Sequence, residues 1–194
     1  MSDPEEAFGS AGAFLRGHFV YTSGRHGADY LEKFRILEDP TATGQLCALI
    51  AEHFQPLRPE LVAGPTTGGI ILAYEVARQL GVNAVYAERG SARGRVLRRG
   101  FEVAPRTRVL IVDDVVTTGG SIREMVDCIE LTGGAVIGIG VLADRTAGQA
   151  DAAVPYYACL TMNFPSYAPD ECPLCAAGLP IADPRGSGKK PAGV

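Results

Sequence analysis

No stretch of this 194-residue chain approaches the ~20 consecutive apolar residues that cross a bilayer, so a helical membrane span is not expected. Basic residues are not in excess: 18 Lys and Arg stand against 22 Asp and Glu, a net charge of −4. That balance argues against a nucleic-acid coat or a protein held on a membrane surface. The five cysteines are odd in number and mostly scattered, which does not read as a secreted disulfide framework. The opening residues are acidic, unlike the basic start of a secretory signal. A cytoplasmic protein without membrane or nucleic-acid partners is expected. There is no internal repeat, and no linker that would divide the chain. What remains is ordinary for a globular domain, 46% hydrophobic and 21% charged, and long enough to bury one α/β core.

Apolar spacing predicts a helix over residues 5–17, with Phe8, Ala11, Phe14 and Leu15 on one face. Short strands are expected over 18–21 and 28–34, around a Ser23-Gly24 turn. Asp39 and Pro40 mark the start of a helix over 41–54. From Leu61 the pattern becomes strand (61–63), glycine-rich turn (64–69), helix (70–80) and strand (83–87). A strand at 109–112, a helix reaching about residue 131 and a strand at 135–142 complete the unit, and such alternation implies a parallel sheet. Residues 88–100 are rich in Arg and Gly, with Val96-Leu97 their only apolar pair, and read as a mobile arm or hairpin. Residues 1–183 are expected to form a single domain, and the Gly-, Pro- and Lys-rich residues 184–194 a disordered tail.

The most informative segment is Val109-Leu110-Ile111-Val112-Asp113-Asp114-Val115-Val116-Thr117-Thr118-Gly119-Gly120-Ser121. Its apolar start reads as a buried parallel strand, followed by two adjacent carboxylates. The chain then turns through small residues, and Ser121 with Glu124 has capping-box spacing for a helix. In open α/β sheets, ligands bind beyond the carboxyl ends of the strands. A turn of bare N–H groups before a helix cradles an anion, while carboxylates beside it suit sugar hydroxyls or a divalent cation.

The segment resembles the phosphoribosyl-diphosphate (PRPP) binding motif of type I phosphoribosyltransferases. The resemblance implies that fold: a central, mostly parallel sheet flanked by helices, with a small N-terminal hood over residues 1–35 completed by a C-terminal segment. It also implies that residues 117–121 hold the 5'-phosphate while Asp113 and Asp114 contact the ribose hydroxyls, with Val115 and Val116 in the same binding stretch. Gly64-Pro65-Thr66-Thr67-Gly68-Gly69 lies in a second strand-to-helix turn. It lacks the Lys-Ser/Thr of a Walker A loop. By resemblance Thr66, Thr67, Gly68 and Gly69 would take the pyrophosphate end of PRPP.

Gly17-His18-Phe19-Val20-Tyr21-Thr22-Ser23-Gly24-Arg25-His26, followed by Tyr30, resembles the hood segment of orotate phosphoribosyltransferases. In that family an arginine at the position of Arg145 contacts the base, and Thr117 touches orotate too. An arginine fork suits a flat anionic ring bearing carbonyls and a carboxylate. The implied activity is transfer of phosphoribose from PRPP to orotate, giving orotidine monophosphate and pyrophosphate. Mg²⁺ would arrive on PRPP, with no side-chain metal site assigned, and the family implies a homodimer with shared sites. The alternatives are a phosphoribosyltransferase for another base, such as a purine, and a PRPP-sensing transcriptional regulator. The second needs a DNA-binding module, and no basic helix-turn-helix is visible.

The chain departs from the family in two places. Many members carry lysine where Thr22 stands, and lysines with a histidine in the loop that here reads Glu88-Arg89-Gly90-Ser91-Ala92-Arg93-Gly94-Arg95. Arg89 is the best counterpart for a pyrophosphate-binding, catalytic group there, with Arg93 and Arg95 as weaker candidates. Cys172-Pro173-Leu174-Cys175 supplies only two of the four ligands of a structural zinc. No histidine or third cysteine lies at the usual spacing, so a reduced structural turn is expected, unless a dimer pairs two such motifs. Gly138-Ile139-Gly140-Val141-Leu142-Ala143 superficially matches a dinucleotide fingerprint, but lies inside a predicted strand instead of after it.

Overall fold

The apolar run before Asp113 lies near the middle of a six-stranded sheet in the computed structural model, which describes residues 3–21, 23–91, 94–146, 148 and 153–184. Thr22, Arg93 and the expected tail beyond Pro184 lie outside the described residues. The sheet comprises β3 (Leu61–Pro65), β4 (Asn83–Arg89), β5 (Arg95–Leu97), β6 (Arg108–Val116), β7 (Ala135–Asp144) and β8 (Tyr156–Thr161), in the order β5-β4-β3-β6-β7-β8. All neighbours are parallel except β4 and β5, which form the hairpin. Both faces are covered, so alternate residues of β6 enter different cores. Leu110 and Val112 join one core with α3 (Pro40–Phe54) and α4 (Gly68–Leu80). Val109 and Ile111 join the other, with Met125 and Ile129 of α5 (Gly120–Glu130).

The Gly138–Gly140 pair inside β7 has a packing role. A Cβ on Gly138 would collide with the Phe54 ring, and one on Gly140 with Ile50, so both glycines let α3 lie close on the sheet. β8 escaped the sequence reading although Tyr156–Leu160 is a continuous apolar run; at the sheet edge only Cys159 of this strand is buried.

The predicted N-terminal helix is the largest correction. It splits into α1 (Pro4–Ser10) and β1 (Phe14–Val20). Asp3 caps α1 and Pro4 starts it, while Gly12 at φ 66° turns the chain out of the helix. β1 pairs antiparallel with β2 (His26–Leu31) in a separate two-stranded ribbon, the hood. Phe34, expected in that strand, opens the short α2 (Phe34–Leu37). Among the described residues, no helix is long and apolar enough to cross a membrane.

Candidate active site

β6 continues through both carboxylates, so neither sits on a solvated turn: Asp113 is 6% exposed and Asp114 4%. Their oxygens are anchored locally. Asp113 Oδ1 accepts from Asp114 N at 2.8 Å, and Asp114 Oδ1 from Val115 N at 2.7 Å. Lys33 Nζ, just after the hood ribbon, reaches Asp114 Oδ2 at 2.7 Å. Burial first, then the neighbouring Asp114 charge, push the Asp113 pKa up to about 6, against the pull of Ser121 and Lys33.

Thr117 and Thr118 are exposed, and Gly119 at φ 72° turns the chain into α5. The expected Ser121–Glu124 capping box does not form. Gly119 occupies the cap position, which places Ser121 already inside the first turn. Both side chains go instead to Arg95, whose Nη2 donates to Ser121 Oγ at 3.0 Å and whose Nε lies 3.6 Å from Glu124. With no side-chain cap, the first N–H groups of α5 are left for an anion.

The second turn follows β3. Thr66 is half-buried, Thr67 exposed, and Gly68 and Gly69 are buried at the start of α4. The Thr66–Thr67 peptide is cis. A Cβ on Gly68 would strike the Asp114 carboxylate, so this turn and the acidic pair share one wall. Arg95, 8% exposed, closes that wall, its Nη1 3.4 Å from both the Thr66 and Ala87 carbonyls. Burial pulls its pKa down from the ordinary arginine value. Arg89 lies opposite Arg95 in the β4–β5 pair and is exposed. The family resemblance ranked Arg89 above Arg95; the geometry puts Arg95 in the wall and Arg89 at the solvent side.

Arg145 follows β7, and its N–H donates to Val116 O at 2.8 Å, which sets it beside Thr117 at the same sheet edge. Its guanidinium lies 4.8 Å from the Tyr21 ring centre and 5.1 Å from that of Phe164. Tyr21, reaching over from the hood, is fixed by donation to Asp29 O at 2.6 Å, and burial raises its pKa. Arg145 Nε is buried without a partner. Phe164, in an irregular segment after β8, carried no periodic signal that could have identified it.

The structure also brings together residues that sequence reasoning kept apart. His18 and His26 of the hood meet the Cys172/Cys175 pair, across separations of 154 and 149 residues. Two histidines only eight residues apart in one predicted ribbon were the available signal.

A family model, phosphoribosyl transferase domain, matches residues 36–169. An orotate phosphoribosyltransferase of Chlorobium phaeobacteroides is 43% identical over 92% of this chain and 92% of its own. The crystal structure of orotate phosphoribosyltransferase from Aeropyrum pernix superposes with a TM-score of 0.68 at 28% identity, covering 81% of this chain and 92% of that one. An adenine phosphoribosyltransferase from Thermoanaerobacter pseudethanolicus shares the fold, with a TM-score of 0.65 at 22% identity over 81% of this chain and 99% of its own.

Proposed function

The chain belongs to the orotate phosphoribosyltransferases, within the phosphoribosyl transferase family, and we propose that it joins orotate to the ribose of PRPP with release of pyrophosphate. The observation that carries the choice of base is Arg145, packed against Tyr21 and Phe164 with an unpartnered Nε beside Thr117. A guanidinium held by rings on its faces keeps its N–H edge for a planar anion. Orotate carries a carboxylate and ring carbonyls that such an edge can bind; adenine carries no carboxylate.

In this reading the uncapped start of α5 holds the 5'-phosphate through backbone N–H groups. Asp113 and Asp114 accept from the ribose hydroxyls, and residues 66–69 hold the pyrophosphate. The bond from ribose C1 to the pyrophosphate oxygen breaks and pyrophosphate leaves with the electron pair. Orotate N1 forms the new bond from the opposite face, through a cationic, oxocarbenium-like ribose, and its proton passes to the released pyrophosphate or to solvent. The protein's contribution is positioning, electrostatic stabilisation and exclusion of water. PRPP enters as its Mg²⁺ complex, because hard oxygen ligands of the diphosphate suit that ion. Arg89, exposed at the end of β4, is free to reach the departing pyrophosphate in its own site or a neighbour's.

A homodimer fits the exposed apolar face of α4, where Tyr74 is 68% and Ile71 42% exposed beside a groove lined by Leu37, Pro40 and Ile70. A cytoplasmic location is part of the same proposal. The test is turnover of PRPP with Mg²⁺ against orotate, adenine, hypoxanthine and uracil. Orotate should be consumed and the others left. A purine converted in preference to orotate would overturn the assignment.

A further inference from the structure

We propose that His18, His26, Cys172 and Cys175 form a structural zinc site that fastens the C-terminal segment to the hood. One ligand atom from each residue falls within 4.8 Å of all the others. His18 Nε2 lies 3.0 Å from His26 Nδ1, and Cys175 Sγ lies 3.3 Å from His26 Nδ1 and 3.6 Å from His18 Nε2. Cys172 Sγ is 3.7 Å from His18 Nε2. A zinc tetrahedron with ordinary bond lengths separates two nitrogens by about 3.3 Å and nitrogen from sulfur by about 3.6 Å. The observed spacings are those of a ligand shell.

Protonation points the same way. His18 Nδ1 lies 2.8 Å from Leu179 O. A carbonyl only accepts, so Nδ1 carries the proton and Nε2 of the neutral ring presents its lone pair to the cluster. This is the backbone-carbonyl arrangement that orients metal-bound histidines. Three further polar groups crowd that one lone pair, more than a single hydrogen bond can satisfy, whereas a cation satisfies all four donors together. Two soft thiolates with two imidazoles select zinc among common divalent ions, and four protein ligands leave no open position for catalysis. Both cysteines are free, and His18, His26 and Cys172 are buried while Cys175 is exposed, which leaves a route for loading.

The fold gives such a staple something to do. After β8 the chain passes Phe164, crosses to the hood and reaches β1 at Ala182. Its attachments include a backbone bridge between His26 and Tyr167, hydrogen bonds from Arg25 to Ser166, the His18–Leu179 hydrogen bond, and Ala182 N donating to His18 O at 2.7 Å. It contributes little core: Leu179 is 50% and Ile181 51% exposed. A segment that buries so little needs a crosslink, and metal binding supplies folding energy directly. The same segment carries Phe164, which packs against Arg145.

The test is metal content of untagged protein made in zinc-supplemented medium, with Co²⁺ as the spectroscopic probe. Wild type should carry about one zinc per chain, and Cys172→Ser/Cys175→Ser less than about a tenth of that. Wild-type protein stripped by a chelator should give, with Co²⁺, the intense visible bands of a tetrahedral site and a thiolate-to-metal charge-transfer band. Its thermal midpoint should recover with zinc and not with magnesium. These wild-type readings do not depend on the variant folding or on the identity of the base. Metal-free wild type with no Co²⁺ spectrum, a Cys172–Cys175 disulfide in its place, or full zinc retained by the double variant would each overturn the proposal.

Discussion

The sheet edge and the hood hold the two halves of the site by different means. At the sheet edge, Asp113, Asp114 and the two glycine-containing turns extend from parallel strands whose faces are both buried, and neighbouring strands fix their backbone. The hood is a two-stranded ribbon whose Leu31 reaches the core shared by α3 and α4, while its other side meets the C-terminal segment through a few hydrogen bonds and the His/Cys cluster. The family-model match follows the same division, running from residue 36 to 169 and leaving out the hood ribbon and the Cys172/Cys175 turn. On the proposed reading, the phosphate and ribose contacts inherit the stability of the core, whereas the base contacts also lean on the hood and the C-terminal segment beside it.

The largest effect should come from the sheet edge. Asp113→Asn with Asp114→Asn should lower kcat/KM by about a thousandfold or more, because lost positioning of the reacting ribose is worth several kcal/mol. The fold, followed by circular dichroism, should persist. Near-wild-type turnover would remove the ribose role, and an unfolded double variant would make the pair structural.

A smaller effect concerns stability. The folded-state pKa of Asp113, about 6, lies above its ordinary 3.8, so between those values the native state holds more protons than the unfolded chain. Stability therefore falls as pH rises through that window and stays lower above it. Asp113→Asn should raise the thermal midpoint at pH 7.5 by about 2–5 °C, with a smaller gain near pH 4. An equal change at both pH values would mean that the buried charge is not the cause.

How much of this was legible in the sequence follows the same boundary. The strand at 108–116 and its turn are contiguous, and burial on both faces, the acidic pair and the glycines can all be read within one segment. Arg145 was singled out because it follows a predicted strand at the same edge and matches the arginine that contacts the base in the family it resembles. The Ser121–Glu124 pair had the spacing of a cap, yet a buried cation, Arg95, competed for both side chains. The helix expected over residues 5–17 failed because the helical spacing of Phe8, Ala11, Phe14 and Leu15 ran across Gly12, where the chain leaves α1 for β1. Each half of the His/Cys cluster has short spacing of its own, but the halves lie at opposite ends of the chain and meet only when the C-terminal segment crosses the hood, so no spacing rule joined them.

The division of labour is tested most directly by steady-state kinetics of Arg145→Ala with orotate and PRPP each varied. Loss of a charged hydrogen-bonding partner for the base should raise the orotate KM by about tenfold or more and leave the PRPP KM within about twofold. An unchanged orotate KM, or a rise confined to PRPP, would contradict the account.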